Sequence, residues 1–247
     1  MEATNLDNIT IVLHRPRFPE NIGSAARAAA NMGISKLIVV SPEDFDREKM
    51  LKLATHAVKP IVDAIAIYDD MAEALAPFQY AVGTSARTGR SRPATQRPDT
   101  AAKKLVPISQ HNSIAVVFGP EDRGLSNEEL KFCQDVIIIP TAGFHSLNVA
   151  QAVMIICWEL YRTSLGETMG SAVTDPVPEL ATGHDLEGMY EHLEQTLTQI
   201  GFLDKANPDH WMRNIRRMFH RFLLRKVDVN LFRGICRQIN WYINNRM

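Results

Sequence analysis

The chain has 247 residues, 45% of them hydrophobic and 22% charged, with a formal net charge of −1 at pH 7. That length supports one large domain, or a main domain with an appendage, around a sizeable core, and the composition excludes a chain that is disordered, collagen-like or coiled coil throughout. No apolar run approaches the ~20 residues that cross a bilayer, the opening MEATNLDN has no basic segment followed by an apolar one, and Cys133, Cys157 and Cys236 show neither zinc spacing nor a disulfide framework, so a cytoplasmic protein is expected.

Over residues 1–165, period and turn signals predict alternating strands and helices. Ile9–Leu13 reads as a buried strand, and RPRFPE as a loop. Asn21–Met32 is an Ala-rich helix with Gly33 as its C-cap. Further strands are expected at Lys36–Val40, Tyr80–Gly83, Ala115–Phe118 and Val136–Ile139. Helices are expected around Phe45–Ala54, Met71–Leu75, Asn127–Cys133 and Asn148–Leu165, the third opened by a capping box of Ser126 and Glu129. Continuous Val/Ile runs suit a mostly parallel sheet covered on both faces, so the fold class is α/β. Residues 166–183, rich in Gly, Pro, Ser and Thr, form a linker. Residues 184–247 then read as an all-helical extension of about three helices. Their apolar stripes are Leu186, Met189, Tyr190, Leu193, Leu197 and Ile200; Trp211, Ile215, Met218 and Phe222; and Phe232, Ile235, Ile239 and Tyr242.

Near-neutral overall charge hides three blocks. Arg87–Lys104 carries six basic residues against one acid, and Lys205–Met247 carries ten against two, whereas Thr163–Asp204 has eight acids and no Lys or Arg. Two basic blocks point to a polyanion-binding surface, unless the acidic and basic C-terminal stretches merely neutralise each other. Trp211, Trp241 and Tyr242 stack on bases or else fill a core or interface.

The sequence holds no P-loop, no dinucleotide-binding glycine pattern, no H-E-x-x-H and no G-x-S-x-G, and no histidine pair at metal-ligand spacing. What remains are four Gly- or Pro-containing segments at the carboxyl ends of expected strands, where open α/β sheets bind ligands. They are Asn21–Arg27, Gly83–Arg87, Phe118–Leu125 and Ile139–Asn148. Singly, each is compatible with an ordinary turn, and Ser146–Asn148 with a plain helix N-cap.

In order, they form N-x-G-x-x-x-R (Asn21, Gly23, Arg27), F-G-x-E-x-x-G-L (Phe118, Gly119, Glu121, Gly124, Leu125) and I-P-x-x-G-x-x-S-L-N-V-A-x-A (Ile139, Pro140, Gly143, Ser146, Leu147, Asn148, Val149, Ala150, Ala152). This series resembles the signature of the SPOUT superfamily, in particular the TrmH-type RNA 2′-O-ribose methyltransferases, over roughly Ile9–Leu165. VGTSAR at Val82–Arg87, HLEQTL at His192–Leu197, N-x-x-R-R-M-F at Asn214–Phe219 and LFRGI at Leu231–Ile235 are similar to the TrmJ type, whose target is the ribose of tRNA nucleotide 32. Methylation of rRNA or another tRNA position, and a non-catalytic RNA-binding relative, are the alternatives.

The resemblance implies a trefoil-knotted sheet, a homodimer with each site completed at the subunit interface, S-adenosylmethionine as cofactor, tRNA as partner, and neither metal nor membrane. It places the cofactor against Thr84, Ser85, Ala86, Gly119, Ile139 and Leu147, with Ser146 and Asn148 close to the donor methyl and the incoming ribose. It gives Arg27 the central catalytic role, with Asn21 and Glu121 orienting Arg27 or the ribose. Arg87, Arg90, Arg92 and the C-terminal Arg213, Arg216 and Arg217 would contact RNA phosphates.

Overall fold

The computed structural model describes residues 6–86, 94–142, 147–166, 177–203 and 208–246. The chain divides into two compact units, Met1–Pro178 and Glu179–Met247.

The first unit runs β1 (Ile9–His14), α1 (Pro19–Asn31), β2 (Lys36–Val40), α2 (Arg47–Leu53), a 3₁₀ turn (His56–Val58), α3 (Lys59–Asp63), β3 (Ala66–Tyr68), α4 (Met71–Leu75) and β4 (Tyr80–Thr84). It continues with β5 (Ala94–Gln96), α5 (Pro98–Ser109), β6 (Ile114–Phe118), α6 (Asn127–Leu130), β7 (Asp135–Ile137) and α7 (Val149–Ser164). The seven strands form one sheet in the order β3-β2-β1-β6-β4-β7-β5, and every pairing is parallel. β1 and β6 lie side by side at its centre with every residue buried, which explains their unbroken apolar runs.

Local chemistry sets the boundaries. Pro19 opens α1, where its missing N–H costs nothing, and Gly33, at φ 77°, follows the helix end in the left-handed region. The glycine of the first motif has a packing reason: a Cβ on Gly23 would lie 2.0 Å from the Met50 carbonyl oxygen, so only glycine lets α1 and α2 approach this closely. α2 is shorter than expected because Asp46 caps it, accepting from the Glu48 and Lys49 amides and leaving Phe45 outside. The Ser126–Glu129 capping box is present, but α6 stops at Leu130, where the Cys133 amide bonds back to the Leu130 carbonyl in a turn. β7 ends at Ile137, so Ile139 lies beyond the strand.

Four elements had no sequence signal: β3 and β5, three-residue strands at the two sheet edges, and α3 and α5. α5 is obscured by its internal Pro107. At the start of β4 and β7, the buried Asp135 carboxylate ties this side of the sheet together. It accepts from the Tyr80 hydroxyl at 2.7 Å, Gln96 Nε2 at 2.8 Å and Lys104 Nζ at 2.7 Å. Lys104, counted above in a basic block, is thereby committed to an internal ion pair.

The second unit contains α8 (Gly183–Gln199), α9 (Pro208–Phe219) and α10 (Lys226–Arg246). A capping box of Thr182 and Asp185 opens α8. Leu186, Met189 and Tyr190 form the core with Met212, Phe219 and Val229, and Leu193, Leu197, Ile215 and Phe232 pack against it. Two expected stripes are therefore corrected. α9 turns Met212, Ile215 and Phe219 inward and leaves Trp211 and Met218 exposed, with Phe222 exposed beyond its end; α10 exposes Ile235 and Tyr242. Residues at 211/215/218 and at 212/215/219 obey the same helical spacing, so periodicity alone does not choose between them. Of the expected linker, residues 167–176 lie outside the described residues.

Candidate functional site

The carboxyl ends of β4, β6 and β7 and the start of α7 enclose a cavity of about 390 Å³, within the range of small-molecule sites. Three segments line it: Thr84–Ala86 after β4, Phe118–Gly124 after β6, and Ile137, Ile139, Leu147, Val149 and Ala152 from the β7–α7 region. The second segment folds back on itself so tightly that a Cβ on Gly119 would meet the Leu125 amide nitrogen at 2.4 Å. Gly124, at φ 64°, makes the turn, and its amide donates to the Pro120 carbonyl at 2.8 Å. Glycine also recurs in β4, where a Cβ on Gly83 would lie 2.6 Å from Leu130 Cδ2. The Thr84 hydroxyl donates to the Val117 carbonyl at 3.1 Å and the Ser85 amide to the Ile137 carbonyl at 3.0 Å, joining all three walls.

Thr84, Ser85, Ala86, Gly119, Ile139 and Leu147, expected to hold a cofactor, all line this cavity. So does Glu121, and it joins the three motifs. Its Oε1 accepts from Asn21 Nδ2 at 2.8 Å and its Oε2 from the Arg17 amide at 3.3 Å. Asn148 Nδ2 in turn donates to Asn21 Oδ1 at 3.0 Å. A carboxylate only accepts, so the Asn21 amide has one possible orientation, and its oxygen is left to receive Asn148. Asn148 also caps α7, accepting from the Ala150 amide at 2.9 Å, so the capping and site readings of this residue are both satisfied.

Arg27 is not brought to this cavity. It lies on the exposed side of α1, six residues beyond Asn21, which places it about 120° away around the helix. Arg87, Arg90, Arg92, Gly143 and Ser146 lie outside the described residues. Among the C-terminal arginines, Arg213 is exposed and Arg217 half-buried. Arg216 serves the fold of its unit: its guanidinium is bidentate to Glu187, one contact at 2.6 Å, and stacks 4.2 Å from the Tyr190 ring centre.

The sequence reading missed the residues behind the Phe118–Leu125 segment. Glu129, whose backbone follows it, accepts from the Ser126 amide at 2.6 Å and from His14 Nε2 at 2.8 Å, with Arg123 at 3.3 Å. Burial pushes the Glu129 carboxyl up, but the Ser126 amide and hydroxyl and His14 together outweigh it and hold the pKa at about 2. The sequence signalled Glu129 as half of the capping box, but its pairing with His14 had no signal.

Chemically, the cavity offers apolar side chains from Phe118, Ile137, Ile139 and Leu147 and the carboxylates of Glu121 and Asp122 among its lining. That combination fits a flat heteroaromatic ring joined to a cationic group. Among the described residues, no cluster of three or more His, Cys, Asp or Glu could hold a metal ion, and no helix is long and apolar enough to cross a membrane.

Comparison with known proteins matches two stretches of the chain. Residues 8–158 match the SpoU rRNA Methylase family, and residues 184–246 match the C-terminal domain of the tRNA methyltransferase TrmJ. The chain is 38% identical, over 93% of both chains, to the tRNA (cytidine/uridine/adenosine-2′-O-)-methyltransferase TrmJ of Pseudomonas aeruginosa (strain UCBPP-PA14). It superposes on TrmJ from Z. mobilis ZM4 with a TM-score of 0.80 at 26% identity, covering 94% of this chain and 98% of that one. At the level of fold alone it is similar to the SpoU methyltransferase AviRb from Streptomyces viridochromogenes, solved in complex with AdoMet (TM-score 0.50, 22% identity, 67% of this chain and 60% of that one). With its family motifs joined around one cavity, the chain belongs to the SpoU methylase family, in its TrmJ branch.

Proposed function

We propose that this protein transfers a methyl group from S-adenosylmethionine to the ribose 2′-oxygen of tRNA, at nucleotide 32 of the anticodon loop, with cytidine or uridine as the base. The observation that carries this reading is the Asn148–Asn21–Glu121 chain, which joins the three motifs through Glu121, a residue that lines the cavity. S-adenosylmethionine, when bound, supplies an electrophilic methyl on a positively charged sulfur. Thr84, Ser85, Ala86, Gly119, Ile139 and Leu147 hold its nucleoside, largely through backbone groups. Asn148 serves the methyl and the incoming ribose, a part the family resemblance also assigns to Ser146.

The ribose hydroxyl must lose a proton as its oxygen attacks. Arg27 is the wrong acceptor, because guanidinium keeps its proton below a pH of about 12. In this reading Arg27 grips a phosphate beside the target, and a phosphate oxygen or a water receives the proton; alignment then supplies much of the rate. Because Arg27 does not line its own chain's cavity, it serves the cavity of a second copy, which makes the homodimer part of the site. Residues 1–165 carry cofactor binding and catalysis. The helical residues 184–247 support the dimer and carry tRNA contact through Arg213 and Arg217, with Arg87, Arg90 and Arg92 leading the backbone to the donor. The trefoil knot belongs to the same reading, supported by a late strand, β7, inserted between the earlier β4 and β5. The cytoplasm, where tRNA is modified, is its place of action.

The test is labelled methyl transfer to unmodified bulk tRNA, with Arg27→Ala in parallel. Label in 2′-O-methylnucleosides, lost in the variant while donor binding persists, is expected. Donor binding without label on tRNA would refute the substrate, and no donor binding would refute the reading of the cavity.

A further inference from the structure

β1 is buried along its whole length, and its last residue is a histidine. His14 is 6% exposed, and its Nε2 lies 2.8 Å from Glu129 Oε1. A carboxylate held ionised can only accept, so the Nε2 position carries the hydrogen, and in the neutral ring Nδ1 is a bare acceptor. That nitrogen is buried with no hydrogen-bond partner in the structure. An apolar residue would fill this place without the cost of an unmet polar atom, so the histidine contributes something other than core volume.

What it contributes follows from where its partner sits. Glu129 is the N3 residue of α6, a helix of four residues, too short to hold itself together. α6 directly continues the Phe118–Leu125 segment that folds over the cavity. That segment is therefore fastened to the β1–α1 region at two points. On one side Glu121 accepts from the Arg17 amide and from Asn21; on the other Glu129 accepts from His14. The next residue after His14, Arg15, adopts φ 49°, a conformation unusual for a side chain of its kind, and its amide donates to the Val40 carbonyl at 2.7 Å. The end of β1 is thus a rigid post, and the cavity-closing segment hangs from it.

We infer that His14 is a positioning residue for methyl transfer: through Glu129 it holds residues 119–129 at the height that shapes the donor-binding cavity against the segment carrying Asn21. This rests on the reading of the cavity as the S-adenosylmethionine site. Besides Glu129, the charged groups bearing on the ring are Arg15 and Arg123, and burial lowers the imidazole pKa, so the ring stays neutral and keeps the tautomer that donates.

The experiment uses the full chain with His14→Met, an unbranched apolar residue that adapts to a core, and His14→Gln, which keeps a donor at similar reach. Titration calorimetry with S-adenosylmethionine, KM for donor and for tRNA, and hydrogen exchange of residues 119–129 are compared. Loss of one hydrogen bond to a charged group should weaken donor binding about tenfold in H14M. Faster exchange over residues 119–129 should accompany it, with KM for tRNA nearly unchanged and most of the loss restored in H14Q. Donor affinity equal to wild type in H14M, or an equal loss in both variants accompanied only by a lower melting temperature, would overturn the inference. A wild-type protein that binds no S-adenosylmethionine would refute the reading of the cavity, and this inference with it.

Discussion

Two carboxylates on the same sheet are treated in opposite ways. Asp135, at the start of β7, is 4% exposed and receives three donors on one oxygen, from β4, β5 and α5. Glu121, on the segment after β6, is half-exposed, faces a cavity, and spreads its two oxygens over the Arg17 amide and Asn21. The first carboxylate is closed: it is buried and its three donors are internal. The second is open, with one partner from another motif and the other from the loop before it. One end of the strands is built for stability and the carboxyl end for binding, the division expected of open parallel sheets.

The largest effect that would sharpen this comparison is on turnover alone. Arg27→Ala should abolish methyl transfer while the melting temperature and the calorimetric affinity for S-adenosylmethionine stay near wild type, since Arg27 is exposed on α1 and does not line its own chain's cavity. At the closed end, Asp135→Leu strands the Tyr80 hydroxyl, Gln96 and the Lys104 ammonium. It should cost about 3 kcal/mol in urea unfolding. Glu121→Gln should do the reverse, leaving unfolding within about 0.5 kcal/mol and lowering kcat by roughly tenfold or more through misplacement of Asn21 and Asn148. Were the two variants to behave alike in both assays, the division between the ends would be wrong.

A smaller effect is set by pH. The His14 pKa is depressed in the folded protein by burial, so between its usual 6.5 and that lower value the unfolded chain binds a proton that the folded one refuses. Stability from this group is therefore present above pH 6.5 and declines as pH falls below it. Glu129, held at about 2 against a usual 4.5, adds a second decline below pH 4.5. Urea midpoints measured from pH 7 to 3 should show both slopes in the wild type, and H14Q should flatten the upper one, leaving the part that His192 contributes, its pKa being lowered by burial as well.

How much of this was legible depended on the kind of constraint. Backbone-built features carry a sequence signature: the glycines at 119 and 124, the small residues at 84–86 and the capped start of α7 all lie where the motifs put them. Long-range side-chain pairing carries none. The Arg17–Glu121 and His14–Glu129 contacts join residues more than 100 positions apart, and Gly23 explains itself only once Met50 is seen against it. The second unit shows a third kind of failure. The +3/+4 spacing was right, but neighbouring stripes satisfied it equally, and the pairing of Arg216 with Glu187 had no signal.

The most direct test uses a synthetic tRNA in which the ribose of nucleotide 32 is replaced by 2′-deoxyribose, assayed beside the all-ribose transcript with labelled S-adenosylmethionine. Label on the ribose transcript and none on the substituted one is the expected result. Equal labelling of the two would show that the methyl goes to another atom or another nucleotide, and would contradict the proposed reaction.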